Sequence, residues 1–135
     1  MRPLTKISVF GVRLACVLLA IYWLAIFTGT HLPNVLAIPQ PNVSDKVKHF
    51  VAYFVLGAMM CYVTNSENWV RRFLGIGLIG MAYALIDELT QQLVPGRHCD
   101  PLDFFADSLG LWCAIGIYVG AKYVRNTLRT DIAAS

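Results

Sequence analysis

Residues 73–96 read FLGIGLIGMAYALIDELTQQLVPG. Fourteen uncharged and mostly apolar residues, 73–86, run straight into Asp87-Glu88, and Pro95-Gly96 closes the stretch. About 20 apolar residues in a helix cross the ~30 Å hydrocarbon core of a bilayer. Two adjacent acids on such a segment are costly in hydrocarbon and need partners or water. The stretch therefore predicts a transmembrane helix, and it places polar function about two turns before the helix ends.

Working toward the N-terminus, Asn65-Ser66-Glu67-Asn68 breaks the pattern, and a second apolar block runs from about His49 to Val63. That block is short, so its helix is expected to begin at Asp45 with Ser44 as N-cap. Residues 29–44 hold Pro33, Pro39 and Pro41, and proline at this density favours an extended connector. A first block covers about Val9 to Phe27, too long for a secretory signal and followed by no A-x-A cleavage pattern. Tyr22 and Trp23 read there as interfacial aromatics near the outer end.

Toward the C-terminus, Asp100-Pro101 reads as N-cap and first helical position. A fourth span is expected to run to about Val124, with a polar tail from Arg125 to Ser135. The fold class predicted is all-α: one domain, 1–135, an integral membrane bundle with spans at about 9–28, 46–64, 72–94 and 102–124.

Composition agrees. Hydrophobic residues make up 57% and charged residues 14%, against about 25% charged in a soluble domain. The net charge of +3 and the lack of a basic patch interleaved with aromatics exclude nucleic acid as a partner. Cys16, Cys61 and Cys113 fall inside apolar blocks, where they read as small core residues, and Cys99 stands alone in a loop. No CxxC pair and no HExxH spacing occurs, so no metal and no cofactor is expected. An even number of spans puts both termini on one side. That side carries eight basic residues (Arg2, Lys6, Arg13, Arg71, Arg72, Lys122, Arg125 and Arg129) and the other carries Lys46, Lys48 and Arg97. The positive-inside rule makes the first side cytoplasmic and turns the loops 29–48 and 95–102 outward. Gly116 and Gly120 give a GxxxG spacing, and Gly57, Gly75, Gly77 and Gly80 lie in the second and third helices. Such residues allow close approach within one chain or between copies, which leaves an oligomer open.

Three polar clusters converge on the outer face. Asp45, Lys46, His49 and Tyr53 form the first, with His49 and Tyr53 on one helix face. Asp45 also suits a cap, and the lysines suit snorkelling to headgroups. Glu88, Gln91 and Gln92 share a face in the second, while Asp87, ~100° away, points elsewhere. The third is Arg97, Asp100, Asp103 and Asp107. Asp100 and Asp103 fit a capping box. Asp107, a turn deeper, needs a cation or donor, with Arg97, Lys46 and His49 the candidates. Arg97 can also take a phosphate or carboxylate bidentately.

The ordered set His31-Leu32-Pro33, Ser44-Asp45-Lys46-x-x-His49-x-x-x-Tyr53-x-x-x-Gly57, Glu88-x-x-Gln91 and Pro95-Gly96-Arg97-x-x-Asp100-x-x-Asp103-x-x-x-Asp107-x-x-Gly110 resembles the VanZ-like family of bacterial membrane proteins. The resemblance covers about residues 30–115. It implies a multi-pass protein of the bacterial inner membrane and a link to glycopeptide antibiotics, notably low-level teicoplanin resistance; it implies no particular reaction. Many members carry Asn where this chain has Asp107, which shifts a mechanism requiring charge toward Glu88, Arg97 and Asp103.

Three function classes follow. The first is an envelope protein that engages a polar or anionic headgroup, such as a lipid-linked cell-wall precursor, at the outer leaflet. The second is an intramembrane enzyme with Glu88 or His49 as general base and Arg97 stabilising negative charge; with no recognised nucleophile, the sequence leaves catalysis open. The third is a proton-coupled carrier relaying through Glu88 and Asp87, although the cytoplasmic halves of the spans lack matching polar residues. A purely structural role for the outer cluster completes the set.

Overall fold

A computed structural model describes residues 7–9, 12–33 and 44–134. The prolines 39 and 41 of the expected extended connector lie outside these residues. Two short strands, β1 (Ser8–Val9) and β2 (Val12–Arg13), pair antiparallel and lead into α1 (Leu14–His31). Three more helices follow: α2 (Asp45–Val63), α3 (Trp69–Gln91) and α4 (Pro101–Ala134). All four are long and apolar enough to cross a membrane.

Two boundaries differ from the sequence reading. The first helix begins at Leu14, because the strand pair occupies the preceding turn and Arg13 donates to the carbonyl of Val63 at 3.1 Å, tying the helix start to the end of α2. The residues read as a polar tail continue α4 to Ala134. Nothing between 125 and 134 breaks a helix, and Thr127 and Thr130 bond back to the carbonyls of Tyr123 and Asn126.

The outer surface is apolar. Leu24, Leu78, Ile86, Phe105, Leu109 and Ile117 are each more than half exposed. The polar side chains go inward: Asp87, Glu88, Gln91 and Asp107 are at most 2% exposed. Lipid tails are as apolar as leucine, so such a bundle is held by close packing and internal hydrogen bonds. Around Tyr53, Leu56, Met60, Ile76, Leu111 and Ile115 the helices meet in one core.

Glycines set how near the helices come. A Cβ on Gly110 would strike the backbone of Phe50, so α4 crosses α2 almost backbone to backbone, one turn below Asp107. A Cβ on Gly57 would meet Leu111 at 3.0 Å, and one on Gly80 would meet the same leucine at 2.5 Å. Gly116 and Gly120, the GxxxG pair, face open space, as does Gly75. The glycines that matter inside the chain are thus Gly57, Gly77, Gly80 and Gly110. Tyr22 and Trp23 also turn inward: the Tyr22 hydroxyl donates to the Ala52 carbonyl at 3.1 Å, and Trp23 packs edge-on against Tyr83 at 5.1 Å. Their place halfway along α1 puts them against the bundle rather than at an interface.

Candidate functional site

One end of the bundle gathers the C-terminal ends of α1 and α3, the N-terminal ends of α2 and α4, and the α3–α4 loop. Gly96 turns that loop with φ of 80°, a left-handed conformation that glycine adopts without a Cβ penalty. Every residue of the three polar clusters except Gln92, which is exposed, contributes to this end.

At its centre stands His49, 6% exposed. Its Nδ1 lies 3.0 Å from Asp107 Oδ1, and its Nε2 lies 3.9 Å from Asp103 Oδ2. Asp107, whose partner the sequence left among three candidates, therefore takes His49. An ionised Asp107 only accepts, so Nδ1 donates to it, while Nε2 faces Asp103. Asp45, one turn before His49, completes a triangle: Asp45, His49 and Asp103 each bring one potential ligand atom to within 4.8 Å of the others. The sequence reading expected no metal, because no HExxH spacing occurs and the histidines are scattered; packing of α2 against α4 brings Asp103 beside Asp45 and His49.

Lysines rim this triangle. Lys46 donates to Asp100 at 2.6 Å and to Asp103 at 3.1 Å, and Lys48 reaches Asp45 at 3.4 Å. The Lys46 ammonium holds the Asp100 carboxyl below the usual carboxylate range. These pairs are substantially solvent-exposed, so each contributes little to stability.

Asp100 caps α4 as expected, its Oδ1 accepting from the Leu102 amide at 2.9 Å. The capping box does not form. Glu88, reaching over from α3, accepts from the Asp100 amide that a box would give to Asp103, and Asp103 is freed to face Lys46 and His49. Ser44 occupies the N-cap position of α2 without a side-chain cap bond.

The second cluster divides rather than sharing a face. Gln91 donates to Asp87 at 3.2 Å, and Asp87 also accepts from the Thr30 hydroxyl at 2.9 Å, with His31 Nδ1 at 3.7 Å. His31 in turn meets Thr90 at 2.9 Å. Asp87 and His31 were not among the site residues chosen from sequence. Asp87 joins α1 to α3, and its divergence from Glu88 on the helix was the signal that it serves another neighbour.

Between these groups lies a cavity of about 490 Å³, half open to the outside, lined among others by Asp45, Lys48, His49, Tyr53, Gln91 and Arg97. Arg97 donates to the Gly29 carbonyl at 3.3 Å, while its Nε is buried without a partner. Tyr53 Oη, Tyr83 Oη, Glu88 Oε2, Asp107 Oδ2 and Ser108 Oγ are likewise buried and unpartnered. Among the described residues, every such atom belongs to this half of the bundle. Burying a polar group without a hydrogen bond costs ~1–3 kcal/mol, and native interiors tolerate few of them. Of the residues that carry them, Tyr53 and Arg97 line the cavity.

The VanZ/LLP1 family model matches residues 12–123. No curated protein and no solved structure matches the chain.

Proposed function

The chain belongs to the VanZ/LLP1 family, and from that premise we propose that it sits in the bacterial inner membrane with both termini cytoplasmic and binds an anionic headgroup in its polar cavity at the outer face. The observation that carries this reading is the mixed-charge cavity itself. Arg97 and Lys48 supply positive charge and donors on its wall, and Tyr53 and Gln91 supply neutral polar groups beside them. An arginine with an unpartnered Nε is suited to a phosphate, which accepts two parallel N–H bonds. The cavity's volume falls within the ~300–1,000 Å³ of small-ligand sites, and its mouth lies where four spans end, at headgroup depth. A lipid-linked cell-wall precursor carries phosphate at that depth. Glycopeptides act on such precursors, so capture of the headgroup would alter teicoplanin susceptibility.

The test is teicoplanin susceptibility of a Gram-positive host expressing the protein, beside Glu88→Gln and Arg97→Ala variants at matched membrane abundance. Protection by the parent and none by the variants is the expected result. No protection by the parent at verified abundance removes the antibiotic link.

A second reading, an intramembrane enzyme acting on the same headgroup, draws on one feature. A histidine oriented by a buried carboxylate, as His49 is by Asp107, is the arrangement of a general base. Its mark is turnover of the headgroup that His49→Gln abolishes while binding survives.

A further inference from the structure

We infer that Asp45, His49 and Asp103 form a binding site for a divalent transition cation, of the Zn²⁺ or Mn²⁺ type, at the wall of the outer cavity. Two carboxylates and one imidazole are a donor set shared by these ions. Three protein ligands with remaining positions open is the arrangement of a metal that also binds a ligand or water.

Four observations converge on it. The three ligand atoms lie within 4.8 Å of one another, and one ion at ~2.0–2.2 Å from each donor would draw them in by about an ångström, a movement that side-chain rotation of the exposed Asp45 can supply. All three residues line the cavity, so the open positions face a space able to hold a ligand. His49 is positioned for coordination: Asp107, 0% exposed, holds Nδ1 at 3.0 Å, which fixes the ring and turns Nε2 toward Asp103, where a cation would bind it in its unprotonated form. A buried carboxylate behind a ligating histidine is the usual support of such sites. Tyr53, which lines the same cavity, keeps its Oη buried without a partner, and so does Asp107 its Oδ2 behind His49.

Lys46 and Lys48 do not close the site. Lys46 bonds Asp103 through Oδ1, whereas the oxygen nearest His49 Nε2 is Oδ2. Lys48 reaches Asp45 at 3.4 Å from a half-exposed position, a contact that a coordinated cation displaces at small cost. The ion would then share the cavity wall with Arg97 and present a second positive centre to one phosphate. This role rests on the headgroup reading; the metal site itself stands on the residues alone.

The experiment uses the purified full chain in detergent, stripped with a chelator and titrated with Co²⁺ in the absence of added lipid. Saturable one-to-one binding with visible d–d absorption, displaced by Zn²⁺, is expected. Asp45→Asn, at an exposed position that leaves folding intact, should weaken binding at least ~10-fold, and His49→Gln should abolish it. Asp107→Ala should weaken it by about 10–100-fold, the usual effect of removing a histidine's supporting carboxylate. Monodisperse elution and unchanged helical circular dichroism certify each variant. The inference is overturned if the parent shows no saturable Co²⁺ binding, or if its binding survives both Asp45→Asn and His49→Gln. Headgroup binding measured with chelator present, and its loss in Arg97→Ala, tests the parent reading separately, so either can fail alone.

Discussion

At the end of the bundle that holds the α2–α3 loop, Arg72 donates to the Cys61 carbonyl and to Thr64 Oγ1, lies 3.5 Å from the Tyr118 hydroxyl, and rests over the rings of Phe73 and Tyr118 at 5.0 and 5.5 Å. Arg13 adds a bond to the Val63 carbonyl. Both arginines close the last carbonyls of α2, where helix geometry leaves acceptors unpaired and the dipole favours cations. At the opposite end, the Arg97 guanidinium bonds, among the described residues, only the Gly29 carbonyl and keeps a buried, unpartnered Nε, and Glu88 and Asp107 each retain an unbonded oxygen. The same residue type thus closes structure at one end and leaves capacity at the other.

The harshest challenge to this contrast is Gly110→Ala. Its Cβ would meet the Phe50 backbone beneath the site, so α2 and α4 must separate, at a cost of about 3 kcal/mol or more. Thermal unfolding in detergent and ligand binding should fall together. Arg72→Ala comes next. Removing a buried cation that serves two acceptors should destabilise by about 2–3 kcal/mol, read as a lower melting temperature, with the affinity of the remaining folded protein for headgroups unchanged. Loss of affinity in folded Arg72→Ala would erase the distinction between the ends. Glu88→Gln sharpens it from the other side. The amide still accepts from the Asp100 amide, so stability should change by under ~1 kcal/mol, while headgroup affinity or antibiotic protection drops several-fold. The smallest effect is at the rim. Because Lys46 lowers the Asp100 pKa, the tie from α2 to α4 is present above the ordinary carboxylate range and is lost as pH falls through the depressed value. Melting measured from pH 7 down to pH 3 should show a slight loss that Lys46→Met removes.

The four helices were legible because mostly apolar blocks separated by polar or proline-rich stretches carry their meaning without tertiary information. The gathering of the polar clusters at one end was legible for a related reason: acids, a histidine and an arginine near span ends are expensive in lipid unless they meet one another. Their pairing was not legible. Whether Asp107 takes Arg97, Lys46 or His49 depends on the rotation of α4 against α2, which Gly110 and Gly57 set by permitting near contact of the backbones. The capping box was a sound local reading that a distant residue displaced, since Glu88 supplies the carboxylate that Asp103 would have given. The GxxxG pair in α4 faces open space, and the close contacts within the chain fall to Gly57, Gly77 and Gly80, which the sequence reading also named, and to Gly110.

The contrast between the two ends is tested most directly by binding of a polyprenyl diphosphate to the protein in neutral-lipid nanodiscs, comparing the parent, Arg97→Ala and Arg72→Ala at equal folded concentration. Saturable binding by the parent, retained in Arg72→Ala and weakened about 10-fold or more in Arg97→Ala, is the expected result. Equal binding by all three, or none by the parent, would contradict a headgroup site at the outer end.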